Sequence, residues 1–427
     1  MTFGTSWDGP LRREPELSTA GQMAYRVLVL TSSYPTHPGS IASAFLADWS
    51  AALAARGHQL TVLTPEDADQ PAVARQEGRI SIECFRYFPY SSLQTLAYGA
   101  GMYDNVLANP VRLAHLPAFL ISLLRRALHL AQEADITHAH WLFPAGLIGA
   151  LVKQHTGTPL VVTVHSTDYH LLRRLPGGRI LARAIARQAD RLHFVTDHHR
   201  LLFTDWIGDA EGLDERSYVV PMGIADYLTA PPVWPLESPP RIGFLGRLIP
   251  LKGVDRLLRT CAALGHSAPT IAGAGPELQR LTSLAARLQV RAAFVGPLVG
   301  EQKTRFLDTC DIMVFPSRSY RSGRSEGLPV SILEALARGR VVIASNAGGI
   351  PEIIRHADNG YIACARDDDS LTTTLGAVLR SWPHSAAVAA AARLTGTHLT
   401  ASSLARQHEL AYQASLPNNA EVLEERA

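Results

Sequence analysis

Short apolar runs, each followed by a helical pattern, recur along the whole chain and leave it few folds to choose from. YRVLVLTSS (25–33), HQLTVLTP (58–65), RISIECFRY (79–87), DITHAHW (135–141), PLVVTVHST (159–167), RLHFVT (191–196) and SYVVPMG (217–223) form one series. RIGFLGR (241–247), PTIAGAG (269–275), AAFVG (292–296), DIMVF (311–315), VVIAS (341–345) and GYIAC (360–364) form a second. Strands that are apolar on both faces and alternate with helices predict parallel sheets covered on both sides. Between the series lies YLTAPPVWPLESPP (227–240), whose five prolines in fourteen residues mark a linker. The expected fold class is therefore α/β, with two doubly wound Rossmann-like domains. Residues 1–21 read as a loose polar tail, 22–226 as the first domain, 227–240 as a hinge on which the domains close, and 241–397 as the second domain.

Length agrees with more than one core, because 427 residues exceed what a single core ordinarily holds. A net charge of +2 is too balanced for a nucleic-acid binder. The four cysteines (84, 261, 310, 364) are scattered with no CxxC pair, as in a reducing compartment, and the expected location is the cytoplasm. Residues 1–21 lack the apolar stretch of a signal peptide. The longest apolar helix pattern, LPAFLISLLRRALHLA (116–131), is broken by Arg125 and Arg126 and falls short of a membrane span. Lysine occurs only at 153, 252 and 303, which makes a lysine inside a motif notable.

Ligands of doubly wound sheets sit beyond the carboxyl ends of the strands, and the chemistry-bearing motifs fall there. PSRSYRSGRSEGLPVSILE (316–334) follows the strand DIMVF and runs into a helix expected to begin near Pro329. Strand, glycine loop and helix start aim bare N–H groups at an anion. Glu326 and Glu334 flank that turn and can hold sugar hydroxyls; alternatively they are a helix N-terminal charge and an ordinary exposed residue. Apolar neighbours around Glu334 favour burial, and a buried carboxylate needs a partner such as a ribose diol. Arg247 and Lys252 in GRLIPLKG (246–253) offer a fork and a point charge to a diphosphate, or are simply solvated. The paired glycines of NAGGIPEII (346–354) permit close backbone approach or a left-handed turn.

In the first half, His165 and Asp168 end the strand PLVVTVHSTD and can contact a sugar or share a proton. His138 and His140 of HAHW raise a metal reading, but no thiol or carboxylate completes a ligand set, so none is expected. Arg179, Arg183, Arg187 and Arg191, four apart, are expected to make one basic stripe on a helix, either solvated or facing an anionic surface. Arginines 318, 321 and 324 precede Glu326 and either add phosphate contacts or are solvated. Residues 85–130 mix aromatics with an apolar helix, suited to core or to an acceptor cradle.

The order GRLIPLKG, AGAGPE, FVGPL, PSRSYRSGRSEGLPVSILEALARG, AGGIPEII resembles the family-four, group 1 glycosyltransferases of the GT-B fold. The resemblance extends forward through RGHQLTVLTP, HAHW, TVHSTD, ARQADRLHFVT and VVPMGI. It implies two Rossmann-like domains facing across a cleft, with a last helix (398–420) that returns to the first domain. It implies a retaining transfer of sugar from a nucleoside diphosphate sugar to a hydroxyl acceptor, with no metal or other cofactor. A glycan or lipid-linked saccharide is within the acceptor range, and peripheral membrane contact through 116–131 and the arginine stripe is compatible with it. By the same resemblance Arg247 and Lys252 neutralise the donor diphosphate, the N–H groups of Gly327, Leu328 and Val330 face the phosphates, and Glu334 holds the ribose. Glu326 contacts the donor sugar, and His165 lies near its reacting face. Gly39, Asp168 and His140 are candidates for acceptor or sugar contacts. One departure stands out: GSIASAFLADW (39–49) has Ser43 and Ala44 where many relatives carry a glycine-rich loop, so Gly39 would serve from a displaced position. Two rival readings use the same architecture: a nucleotide-sugar epimerase or phosphorylase, and a non-catalytic nucleotide-sugar-binding module.

Overall fold

The computed structural model describes residues 23–416 apart from 38–39, 41, 69–73, 99–100, 166, 209–211, 230–238, 266–267, 321–324 and 383–384. The expected tail and most of the expected hinge lie outside the described residues. The chain divides into two compact units. One holds Met23–Val195, Arg200–Ala225 and the segment from Ala401 onward; the other holds Thr196–His199 and Asp226–Thr400.

The first unit is built on β1 (Arg26–Leu30), β2 (Gln59–Pro65), β3 (Arg75–Glu77), β4 (Ile80–Phe85), β5 (Ile136–His140), β6 (Leu160–Val164), β7 (Arg191–Phe194) and β8 (Ser217–Val219). They form one sheet in the order β3-β4-β2-β1-β5-β6-β7-β8. Every pairing is parallel except β3 with β4. That antiparallel edge strand was not expected, since its RQE sequence carries no apolar signal. Its helices are α1 (Ala44–Ala55), α2 (Met102–Ala108), α3 (Leu116–Ala131), α4 (Leu147–Thr156), α5 (Thr167–Leu172), α6 (Gly178–Gln188) and most of α7 (Asp197–Ile207).

Alternation in the central strands decides what packs where. Leu28 and Leu30 of β1 meet Phe119, Leu123 and Ala127 of α3 on one face. Val27 and Val29 meet Leu46, Trp49 and Leu53 of α1 on the other, together with Ala405 and Tyr412 from the chain's last described helix.

The second unit carries β9 (Ile242–Leu245), β10 (Thr270–Ala272), β11 (Ala293–Gly296), β12 (Ile312–Phe315), β13 (Val341–Ser345) and β14 (Tyr361–Ala363). The order is β11-β10-β9-β12-β13-β14, all parallel. Helices α8 (Val254–Ala263), α9 (Leu278–Arg287), α10 (Gly300–Thr309), α11 (Val330–Ala337), α12 (Ile350–Ile353), α13 (Asp368–Arg380) and α14 (Ala386–Thr397) follow the strands. Ile242, Phe244, Ile271, Val314 and Ile343 pack with Leu257 and Leu258 of α8 and Leu371 and Leu375 of α13. After β11 the chain crosses back over β10 and β9 to lay down β12. Strand order therefore reverses between β9 and β12, and such a switch point leaves a crevice at the strands' carboxyl ends.

The last helix, α15 (Ala401–Gln413), packs on the first unit. Glu409 accepts both arms of the Arg56 guanidinium at 2.6 Å and lies 2.9 Å from His58 Nε2. Tyr412 Oη lies 2.8 Å from His138 Nδ1.

Candidate functional site

Four loops meet at the β9/β12 switch point, and glycines let their backbones touch. A Cβ on Gly253 would lie 2.1 Å from the carbonyl oxygen of Pro316, tying the loop after β9 to the one after β12. Cβ atoms on Gly273 and Gly275 would lie 1.8 and 2.3 Å from the carbonyls of Gly246 and Leu248. Gly348, at φ +58°, would place a Cβ 1.7 Å from the Glu326 carbonyl, while Gly349 N–H donates to Gly327 O at 3.0 Å. The glycines of GRLIPLKG, AGAGPE and AGGIPE are thus needed for contact among the motifs, because any side chain there forces the loops apart.

Lys252 closes the turn Pro250–Lys252, and its ammonium donates to Glu326 Oε2 at 3.0 Å. The Ser317 hydroxyl donates to Glu326 Oε1, also at 3.0 Å. Glu326 is 7% exposed, so this carboxylate is held by a cation and a hydroxyl, not by bulk water. Arg247 stands exposed on the same loop after β9. Helix α11 starts at Val330 with Pro329 as its N-cap, and no side chain caps it. Its first N–H groups have no intrahelical partner and face outward from the helix mouth. One turn further, Glu334 is 6% exposed and accepts from Lys303 Nζ of α10 at 2.5 Å. Two carboxylates and two ammonium groups therefore bracket a helix N-terminus on a glycine-lined floor. Such a set can bind a dianion beside a pair of hydroxyls.

In the first unit the carboxyl end of β6 presents His165. Its ring stacks on His140 with Nε2 3.0 Å from His140 Nδ1, and Trp141 and Phe45 pack around it. Burial lowers the His165 pKa to about 3, so the imidazole is neutral at pH 7. His140 is fully buried, with its ring stacked on that of His165, so it has no exposed surface of its own to offer a sugar. Asp168 lies in α5 with its side chain outside the described residues, and Gly39 lies outside them altogether. His138, His193 and His408 adjoin His140, each held below the ordinary imidazole range chiefly by burial; neighbouring imidazoles add to this at His138 and His408, and the Arg191 charge adds to it at His193, whose pKa falls to about 3. Among the described residues no group of three or more His, Cys, Asp or Glu is placed to hold a metal ion.

Comparison with known proteins fits this geometry. The family model described as Glycosyl transferases group 1 matches residues 239–381, and the Glycosyl transferase 4-like domain matches 42–215. The chain belongs to the group 1 glycosyltransferases. This glycosyltransferase is 25% identical over 384 residues to the Mycobacterium tuberculosis GDP-mannose-dependent alpha-(1-6)-phosphatidylinositol monomannoside mannosyltransferase, covering 86% of this chain and 92% of that one. Among solved structures, sucrose-phosphate synthase from Thermosynechococcus elongatus superposes with a TM-score of 0.74 at 18% identity, covering 91% and 98% of the two chains. Anabaena HepE in complex with UDP-glucose gives 0.68 at 18% identity, covering 90% and 98%. These structural likenesses show a GT-B fold.

Several charged residues of the glycosyltransferase act differently from what the sequence implied. Arg318 is tethered to Asp255 Oδ2 at 2.7 Å and its N–H to Leu251 O, so it braces the loop. Arg321 and Arg324 lie outside the described residues. Arg191 is not on the basic stripe, because α6 ends at Gln188; it begins β7 and lies over the Tyr218 ring. Arg179 donates to Ile207 O at the carboxyl end of α7, where a cation offsets the helix dipole. The segment 85–130 divides: Phe85, Tyr87, Phe119 and Leu123 are core, whereas Tyr90, Leu93, Val111, Leu113 and Ile121 are exposed. No helix of the described residues is long and apolar enough to cross a membrane.

Two residues were not foreseen. Arg256, buried in α8, donates to Asp368, to the carbonyls of Pro316, Ser317, Cys364, Ala365 and Asp367, and to Ser345 Oγ. It clamps the ends of β12, β13 and β14, which carry the site. The second is Lys303, whose one sequence signal was the scarcity of lysine.

Proposed function

We propose that this glycosyltransferase moves a sugar from a nucleoside diphosphate sugar to a hydroxyl acceptor with retention of anomeric configuration and without a metal ion. The observation that carries the donor class is the pairing of Glu326 with Lys252 and Glu334 with Lys303 around the mouth of α11. The bond to break joins sugar C1 to a phosphate oxygen. Negative charge gathers on the departing diphosphate as that bond lengthens. Lys252, Arg247 and the N–H groups at Leu328 and Val330 are the groups that take it up. Glu326, freed in part from Lys252 as the ammonium turns to phosphate, accepts hydroxyls of the donor sugar. Glu334 accepts the ribose hydroxyls.

The first unit takes the acceptor, with neutral His165 as a hydrogen-bond partner for its hydroxyl. A lipid-linked acceptor fits the exposed apolar residues Tyr90, Leu93, Val111, Leu113 and Ile121. Phe88 and His115, with ring centroids 4.6 Å apart, join the segments that bear them. Of the four arginines between Phe85 and Gln132, Arg86 and Arg126 pair with Glu66 and Glu83, which leaves Arg112 and Arg125 as the cations for an anionic bilayer. The M. tuberculosis relative, named for GDP-mannose and a phosphatidylinositol monomannoside, supports this reading.

The experiment is a transfer assay with GDP-mannose and UDP-glucose, in EDTA, against phosphatidylinositol-based and simple alcohol acceptors. Product with the donor's anomeric configuration is expected. Conversion of the donor without acceptor, or only with free phosphate, would replace the reading with an epimerase or a phosphorylase. Co-sedimentation with phosphatidylglycerol vesicles at low salt tests the membrane surface, and no binding there removes it.

A further inference from the structure

The aromatic rings around β5 and β6 fall into a sealed group and an open one. Trp49 stands edge-on to the rings of His138 and His140, with centroids 5.0 and 4.7 Å away, and is only 2% exposed. Beside it Phe45, Trp141 and His165 pack on one another, with centroids 6.4, 5.5 and 4.8 Å apart, and all three stay half-buried. These three keep part of their surface in water at the carboxyl ends of β5 and β6, where the ligands of a doubly wound sheet sit.

The backbone carries Trp141 there against its own preference. Side chains alternate along β5: Ala139 shares the core with α3 and α4, whereas His138 and His140 turn toward Trp49 of α1. Continued alternation would return residue 141 to the Ala139 side. Instead Trp141 joins Phe45 in the cluster on α1, and it does so at φ +73° and ψ 132°. A positive φ is strained for a bulky side chain. Two hydrogen bonds hold the turn: Trp141 N–H donates to Thr163 O and Gly146 N–H donates to Trp141 O, both at 2.9 Å. Glycine would make the same turn without strain, so local folding does not ask for an indole here. Strain fixed in this way by its surroundings gathers at ligand sites.

His165 adds a polar group at the edge of these faces. Its Nε2 is taken by His140 Nδ1 at 3.0 Å, which fixes the ring and leaves Nδ1 for a ligand. Burial keeps the imidazole neutral, so it suits a hydroxyl better than an anion. A saturated ring edged with hydroxyls matches both features. Its C–H bonds carry partial positive charge to the negative aromatic faces, and a rim hydroxyl reaches the imidazole.

We propose that Phe45, Trp141 and His165 form a platform for a cyclic polyol, a pyranose or cyclitol ring, belonging to the acceptor. The inference rests on the reading that the first unit takes the acceptor. It narrows that acceptor from any hydroxyl compound to one whose ring stacks on Trp141.

The test is saturation-transfer NMR on the full chain with methyl α-mannopyranoside, myo-inositol and, as an open-chain control, glycerol. Wild type should saturate the C–H protons of one ring face and bind no glycerol. Trp141→Ala and Trp141→Gly should each weaken ring binding about tenfold, and Trp141→Phe, which keeps an aromatic face, about threefold at most. Melting temperature separates binding from folding. Both small variants lose the same indole, but glycine relieves the turn, so Trp141→Gly should melt above Trp141→Ala. Ring binding of wild-type strength in Trp141→Ala or Trp141→Gly, or glycerol bound as well as the rings, would overturn the inference. Displacement of the ring by GDP-mannose or UDP-glucose, but not by GDP or UDP, would make this the donor's sugar pocket and overturn the acceptor assignment. Ring binding without transfer from either donor would leave the platform standing and remove the proposed function; transfer without ring binding would do the reverse.

Discussion

Replacing Lys252 by alanine should produce two separable losses. The Lys252 ammonium lies 3.0 Å from Glu326, and the side chains are 14% and 9% exposed. Without it, Glu326 keeps only the Ser317 hydroxyl as a partner among the described residues, so a nearly buried charge is stranded. A polar group left in that state costs about 1–3 kcal/mol. For a domain of this size that is a fall of about 2–4 °C in melting temperature per kcal/mol. The chemical loss is independent. Removing one donor to charge that develops in the transition state typically costs about 2.7–4 kcal/mol, or 10²- to 10³-fold in kcat. Because the charge appears as the diphosphate departs, the effect belongs mainly in kcat. The double variant Lys252→Ala/Glu326→Gln removes the stranded charge as well, so it should regain much of the stability and none of the activity. Urea unfolding gives the first quantity and single-turnover transfer at saturating donor gives the second. Transfer by Lys252→Ala within about threefold of wild type would refute the reasoning.

Three further outcomes follow from the geometry. Gly348→Ala must push a methyl against the Glu326 carbonyl and force φ +58° on a residue with a side chain, so activity should fall at least tenfold for about 1–2 kcal/mol of stability; unchanged transfer would mean the loops tolerate separation. Arg256→Met leaves several buried carbonyls at the ends of β12, β13 and β14 without a donor, and should cost more than about 3 kcal/mol in urea unfolding. The buried imidazoles of His138, His140, His165, His193 and His408 have folded pKa values depressed below the unfolded value of about 6.5. The unfolded chain therefore binds more protons in acid: stability is full above about pH 6.5 and falls as pH drops toward 3, each imidazole adding about 1.4 kcal/mol per pH unit. His58 with Glu409, Arg191, Tyr412 and Trp49 face the same cluster, and a melting temperature flat from pH 7 to 5 would contradict this account.

The strands were legible because parallel strands buried on both faces read as continuous apolar runs: LVVTV (β6) and VVIAS (β13) are buried at every position. β3 escaped because Arg75–Glu77 is a polar edge strand whose partner, β4, alone reveals it. At the candidate site the glutamates and Lys252 were visible as residues, but not their mutual pairing, since Lys252 and Glu326 are 74 positions apart. Lys303 lies in GEQKTRF, a polar helix start with no motif, and only the location of α10 alongside α11 gives it meaning. Arg256 looked like one more arginine on a helix; its burial comes from three strand ends that converge on it. The basic stripe is shorter than expected for a local reason: Arg179, Arg183 and Arg187 lie on α6, which ends before Arg191, and the α7 terminus draws in Arg179. The histidine cluster joins β5, β7 and α15, a meeting that spacing along the chain could not disclose.

The most direct measurement is a crystal structure of the full chain grown with a nucleoside diphosphate, either GDP or UDP. The diphosphate should lie within hydrogen-bond distance of Lys252 Nζ and the N–H groups at Leu328 and Val330, with a ribose hydroxyl on Glu334 Oε2. A well-ordered nucleotide bound elsewhere, with the Lys252–Glu326 and Lys303–Glu334 pairs untouched, would contradict the account.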